Sequence, residues 1–323
     1  MTPGLRAAPV IVLLLVPASL ALAIAFGSVD LGPARLADAL LLRGDDIARD
    51  IVWGVRAPRA LAGFACGGLL ALSGALLQVL LRNPLADPAI LGVSGGAAAG
   101  ALAAMLAGAA AAAMNLCALA GASLAAAAVL AFSLGRSGWN PYRVLLTGVA
   151  LASGFGALVS LILALAPASQ VQGMLFWLLG DLSPAGDPSA ALVVLAGCTA
   201  LAFSQSGALD VLLLGEDKAK SLGVAVTRLQ AIAFACASVA TTAAVLLGGA
   251  IGFVGLVVPH LLRLSGVHRH ALLIPLAACL GGSLLVLADT LARTVAAPAE
   301  LPVGVLTAMI GVPVLLALLA RLR

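Results

Sequence analysis

Three groups of residues in this sequence are of types that could do chemistry. His260, His268 and His270 include an HxH pair, a spacing able to ligate a metal or haem iron. Lys218–Ala219–Lys220–Ser221 ends in Lys-Ser, as a phosphate loop does. Asp289 and Arg293 are ionisable groups in an apolar stretch, where such residues relay protons or couple ions. Each group falls short of a site. No carboxylate or cysteine cluster completes the histidines, which read as interfacial polar residues of a basic loop. Ala219 stands where a phosphate loop needs glycine, and no glycine-rich strand–loop–helix precedes it. Asp289 and Arg293 fall near a predicted helix end, and no confident span carries a charge at its middle. Cys66, Cys117, Cys198, Cys236 and Cys279 lie apart in apolar runs with no CxxC, as small buried hydrophobes do. The residues therefore predict no catalytic group and no metal site. If ATP drives this protein, the ATPase is another chain.

The elements that must position these residues are membrane helices. Of 323 residues, 63% are hydrophobic and 9% charged, and the mean hydropathy is +1.19. A soluble domain carries roughly 25% charged residues, so this composition excludes one. The net charge of +4 comes from basic residues between apolar segments, with few aromatics among them, which argues against nucleic acid. At about 20 apolar residues per span, ten spans are predicted: near 8–26, 58–81, two within the 43 uncharged residues 92–134, then 144–166, 189–203, 229–247, 251–264, 271–291 and 301–319. The first is read as an uncleaved helix. The fold class is an all-α polytopic membrane protein forming a single domain, 1–323.

Segment 27–59 is the one long polar stretch, an extracytoplasmic loop with one short helix predicted near Pro33–Leu42. Segment 206–228 carries a charged helical insert, and 170–182 a short amphipathic piece. With the N-terminus inside, eleven of the seventeen Lys and Arg fall on the inner side: Arg6, Arg82, Arg136, Arg143, Lys218, Lys220, Arg228, Arg263, Arg269, Arg321 and Arg323. The excess predicts both termini in the cytoplasm. Two apolar segments are interrupted by Gly and Pro, Arg82–Gly96 (RNPLADPAILGVSGG) and Gly252–His260 (GFVGLVVPH). Broken backbone at membrane depth must be buried in protein or face a watery cavity, so both are expected to be packed and pathway-lining. Gly92, Gly96 and Gly100 recur every fourth residue, a spacing that predicts close helix contact.

These segments resemble the membrane-spanning permeases of type II bacterial ABC importers for vitamin B12, haem and ferric siderophores. The matching stretches are Arg56–Ala97, LLTGVAL at Leu145–Leu151, LGEDKAKSLGV at Leu214–Val224, GAIGFVGLVVPHLLRL at Gly249–Leu264, LADTLAR at Leu287–Arg293 and ELPVGVLTAMIGVPV at Glu300–Val314. The resemblance covers nearly the whole chain in order. It implies a ten-helix, multi-pass subunit of the bacterial inner membrane, working as a homodimer with its path on the dimer axis. Two cytoplasmic ATPase subunits would bind ATP below it, no cofactor residing on this chain, and a periplasmic binding protein would dock above.

The resemblance also implies roles for named residues. Arg56, Arg59 and Arg293 match outer-surface arginines that meet acidic residues of the binding protein, and exposed basic pairs steer an acidic partner. Leu214, Gly215, Glu216, Asp217, Lys218, Ala219, Lys220, Ser221, Leu222 and Gly223 match the segment seated in the ATPase. Asn83 and Leu85 match one cytoplasmic gate and Pro141 and Tyr142 a second, where the family has small hydroxyl residues instead. Ser153, Ser160, Ser169, Gln170 and Gln172 are the polar candidates for lining the path. The expected mechanism is alternating access driven by ATP binding, with a metal chelate as cargo: haem first, then cobalamin, with a ferric siderophore as the alternative. An ion-coupled carrier or channel acting alone is the reading from another class.

Overall fold

The computed structural model describes residues 3–135, 138–183 and 186–320. Its regular structure among the described residues is helical apart from a two-residue ladder, Leu134–Gly135 against Gly138–Trp139. The helices run in chain order α1 (Pro3–Ala25), α2 (Pro33–Leu40), α3 (Asp46–Arg49), α4 (Ala57–Leu80), α5 (Val93–Leu106), α6 (Ala111–Ser133), α7 (Pro141–Leu165) and α8 (Ala168–Leu179). They continue with α9 (Ser189–Ser204), α10 (Ser206–Leu212), α11 (Glu216–Ser221), α12 (Val226–Gly248), α13 (Val254–Leu264), α14 (His270–Thr294) and α15 (Val303–Ala320).

Six of the described helical stretches are long and apolar enough to cross a membrane: most of α1, the run Asp46–Leu80, α6, α7, α12 and α14. A seventh forms if α9 and α10, bent by 59°, count as one span. Val93–Leu106, Val254–Leu264 and Val303–Leu316 are shorter apolar helices. Together these account for the ten apolar segments read from the sequence, three of them shorter than a full crossing requires.

Local chemistry explains most of the boundaries. Asn140 caps α7, its Oδ1 accepting from Tyr142 N at 2.9 Å and Arg143 N at 3.4 Å, with Pro141 at the first helical position. Asp87 caps a 3-10 turn, Pro88–Leu91, which Gly92 ends with a left-handed φ of 68°. The loop after α1 differs from expectation. It holds two helices, and α3 runs on through a wide-turned segment, Asp50–Arg56, into α4. Pro58 lacks an N–H for the preceding turn, and the wider winding before it takes up that irregularity. The second span's helix thus begins at Asp46, well before Pro58.

Helix α4 is the core. It packs against α14, α12, α13, α9 and α1, and nearly every residue from Arg59 to Leu80 is buried. Without water between helices in a bilayer, close packing must supply much of the association, and small residues allow it. A Cβ on Gly67 would lie 2.2 Å from Gly281 O of α14, and one on Gly74 would lie 1.8 Å from Gly255 O of α13. Ser73 adds hydrogen bonds to α12, to Ala237 O at 2.9 Å and with Thr241 Oγ1 at 2.7 Å. The predicted glycine stripe holds at two of its three positions. Gly96 and Gly100 set the backbone of α5 against Gly121 O and Cys117 O of α6, whereas Gly92 is the turn residue and faces α7. Segment Gly252–His260 is packed, but it lies against α4, α14 and α15. Its break falls before α13, with Phe253 left-handed at φ 69°, and Pro259 lies within the helix.

Candidate functional site

The arrangement is set by α4 and α14, which pack along each other and span about 36 Å each at 1.5 Å per residue. Their ends carry two polar clusters.

At the start of α4 and the end of α14 sit the three arginines. Arg59 donates Nη2 and Nε to Asp289, at 2.8 Å and 3.0 Å, and Nη1 to Glu300 Oε2 at 2.7 Å. This forked pairing is the strong geometry for guanidinium and carboxylate. Arg293, one turn beyond Asp289 on α14, donates to Ala23 O at 2.6 Å. Arg56 donates to Ile24 O and Ala25 O, carbonyls left open at the end of α1, and to Val29 O of the loop beyond it. Gly27 makes room for it, since a Cβ there would lie 2.9 Å from Arg56 Nε. Glu300 also accepts from Ser28 at 2.7 Å and from Ser183 at 2.9 Å, so it joins the loops after α1, α8 and α14. Burial opposes its ionisation, but Arg59, Ser28 and Ser183 outweigh burial and hold the Glu300 carboxyl below the usual range.

The exposed arginines expected from the sequence are therefore corrected. Arg56, Arg59 and Arg293 are 3%, 7% and 3% exposed, and internal carbonyls and carboxylates hold all three. A guanidinium this deep requires such partners. Asp289 and Glu300 complete this cluster, a part that sequence reasoning misses. The i, i+4 spacing of Asp289 and Arg293 was a signal for the first; nothing local ties Glu300 to Arg59.

The opposite end gathers the gate and coupling candidates. Arg82 Nη2 lies 2.9 Å from Glu216 Oε1 of α11. Asn83 Oδ1 accepts from Leu85 N at 2.9 Å, turning the chain after α4. Gly148 of α7 rests on Ile90 O, which brings Pro141 and Tyr142 to the same end. Tyr142 is exposed. Around α11, Asp217, Lys218, Lys220, Ser221 and Gly223 are exposed beside the bare Leu213, Leu214 and Leu222; Ala219 is buried, and Gly215 and Glu216 are half-buried. Mixed charge thus surrounds exposed leucines at this end. Arg143 and Arg228 are exposed at this end, while Arg136, Arg321 and Arg323 lie outside the described residues, as does the side chain of Arg6.

The histidines do not converge. His268 is exposed, but His270, expected at an interface, is fully buried at the start of α14. Asp210 of α10 accepts from its backbone N at 3.0 Å and pairs with its Nδ1 at 2.5 Å. The pair fastens α10 to α14.

The path candidates lie on the least covered part of the chain. Along α7 only Val144, Gly148 and Ile162 are buried. Ser153 and Ser160 are exposed, their hydroxyls turned back to Val149 O and Gly156 O. Ser169 and Gln172 of α8 are exposed, and Gln170 is half-buried with Oε1 lacking a partner among the described residues.

Comparison with known proteins places this geometry. The FecCD transport family matches residues 13–321. The cobalamin import system permease protein BtuC of Halobacterium salinarum is 44% identical over 278 residues, 85% of this chain and 74% of that protein. The vitamin B12 import system permease protein BtuC of Escherichia coli is 39% identical over 277 residues, 84% of each. A solved structure of a metal-chelate type ABC transporter, in an inward-facing conformation, superposes with a TM-score of 0.85 at 29% identity, over 96% of this chain and 97% of that one.

Proposed function

The chain belongs to the FecCD transport family and is a permease subunit of a metal-chelate type ABC importer, and from that premise we propose that its cargo is cobalamin. The observation that carries the reading is the 44% and 39% identity, over 85% and 84% of the chain, to two permeases named for cobalamin and vitamin B12 import. Haem, placed first from the sequence alone, gives way to cobalamin on this evidence. A ferric siderophore is the remaining alternative.

In this reading two copies of the chain meet about a common axis, with the bare faces of α7 and α8 along the path. The end bearing α11 faces the cytoplasm and so do both termini. Two ATPase subunits bind ATP and seat on Leu213, Leu214 and Leu222 and the exposed Asp217, Lys218 and Lys220. Their closure moves α11, and the turns at Asn83–Leu85 and Pro141–Tyr142 open and close the inner gate. A soluble binding protein supplies affinity and meets the Arg56, Arg59 and Arg293 end. Because these arginines are held internally, an acidic lobe must compete with Glu300 and the backbone carbonyls. Long-range attraction still favours that approach.

The test is uptake of labelled cobalamin, haem and a ferric siderophore by cells with and without this chain, before and after ATP depletion. Loss of cobalamin uptake alone, with ATP dependence, is the expected result. Loss of haem or siderophore uptake alone would reassign the cargo. Uptake indifferent to ATP would return the chain to the class of lone carriers.

A further inference from the structure

The end of α4 contains a backbone conformation that its local sequence does not favour. Asn83 N donates to Gln78 O and Arg82 N to Val79 O, at 3.1 Å and 3.2 Å, the paired bonds of a Schellman turn. The residue in the left-handed position of that turn is Arg82, with φ 46°. Glycine is the usual occupant, because a Cβ crowds the neighbouring carbonyl there. A non-glycine residue held in this region must be fixed by its surroundings, and such strain gathers where function requires a set geometry.

The backbone bonds set the turn, and the side chain of Arg82 ties it to α11. Nη2 reaches Glu216 Oε1 at 2.9 Å, and the same oxygen accepts from Gln230 Nε2 of α12 at 3.1 Å. Glu216 is the first residue of α11. The other charges of that helix, Asp217, Lys218 and Lys220, are exposed, whereas Glu216 turns back onto its own chain. The residue after Arg82 is Asn83, whose side chain shapes the turn to Leu85. The coupling helix and the gate turn are thus joined by one ion pair, one residue away from the gate. The two side chains are 40% and 27% exposed. An ion pair so wet contributes little stability, so holding strain for the sake of stability alone is a poor trade.

The geometry points to Arg82–Glu216 as the joint through which movement of α11 is passed to the Asn83–Leu85 turn. Glu216 is then a positioning residue facing inward, distinct from the outward charges that meet the ATPase. This rests on the importer reading, which makes α11 the moving part.

The experiment uses the complete importer, with its ATPase and binding protein, reconstituted in vesicles so that cobalamin uptake and ATP hydrolysis are read together. Arg82→Gly is the decisive variant, because glycine suits the left-handed position and removes only the side chain. It is expected to keep its melting temperature and its ATP hydrolysis. Uptake per ATP should fall about fivefold or more, the lower end of ordinary coupling between sites. Glu216→Gln should behave likewise, and the exchanged pair Arg82→Glu with Glu216→Arg should recover much of the loss. Wild-type uptake per ATP in Arg82→Gly would overturn the joint. So would loss of ATPase assembly in Glu216→Gln that the exchanged pair fails to restore, since Glu216 would then be an ATPase contact. An unaltered importer that hydrolyses ATP without ATP-dependent uptake would overturn the importer reading itself, and the joint with it.

Discussion

Arg59 shows how burial changes the meaning of a residue. Its guanidinium holds Asp289 in a nearly dry site and Glu300 at its partly exposed edge, and removing one partner of a buried pair leaves the other charge uncompensated. Arg59→Ala is therefore expected to destabilise the folded chain by about 3–5 kcal/mol. Thermal unfolding in detergent checks this, with the exposed Arg35→Ala as a control expected to change little. Charge reversal at Arg59 would disturb the fold itself, so the proposed docking is better probed on the binding protein's side. Glu300 carries a pH prediction of definite sign. Its folded-state pKa lies below the ordinary value of 4.5, so its contribution is fully present above that value and is lost as pH falls through the lower folded value. Melting curves of wild type and Glu300→Gln should differ at pH 6 and draw together only as pH falls through the lowered folded-state value. A gap that stays constant down to full protonation of the carboxyl would show that its charge is not what stabilises the loops that Glu300 joins.

At the scale of elements, the crossings of α4 rest on glycines whose absent Cβ is the contact. Gly74 meets Gly255 O and Gly67 meets Gly281 O at distances no side chain tolerates. Gly74→Ala should force α4 and α13 apart, at about 1–3 kcal/mol for overpacking. Gly154 on α7 has open space where a Cβ would be, and Gly154→Ala should leave folding unchanged or slightly improved, alanine being the better helix former. Fluorescence-detected size exclusion after a heat step separates the two. Similar losses at both positions would mean that glycine matters here for helix flexibility, not for close approach.

For the whole molecule, the uneven covering of the helices is the main lead. α4 is buried nearly all round, whereas α6 and α7 are mostly bare in a single chain. Bare faces in a bilayer meet lipid, a second copy or water. Ser160→Cys on α7 is expected to react with a membrane-impermeant maleimide, and Leu124→Cys on α6 to resist it, although both positions are exposed in the isolated chain. Equal resistance would place the Ser160 face against lipid or protein and move the path elsewhere.

The membrane class, the order of the apolar segments and the glycine contacts of α5 with α6 were legible in the sequence, because apolar length and i, i+4 spacing are local properties. So was the charged insert Leu212–Val224 between spans. Other features required the tertiary structure. Arg59 meets Glu300 across 241 positions, Arg82 meets Glu216 across the bundle's end, and His270 finds Asp210 on another helix. No local pattern encodes these pairs. The burial of the arginines is hidden for the same reason: a charge looks exposed in a sequence until its distant partners are known, and only packing brings them within hydrogen-bonding distance.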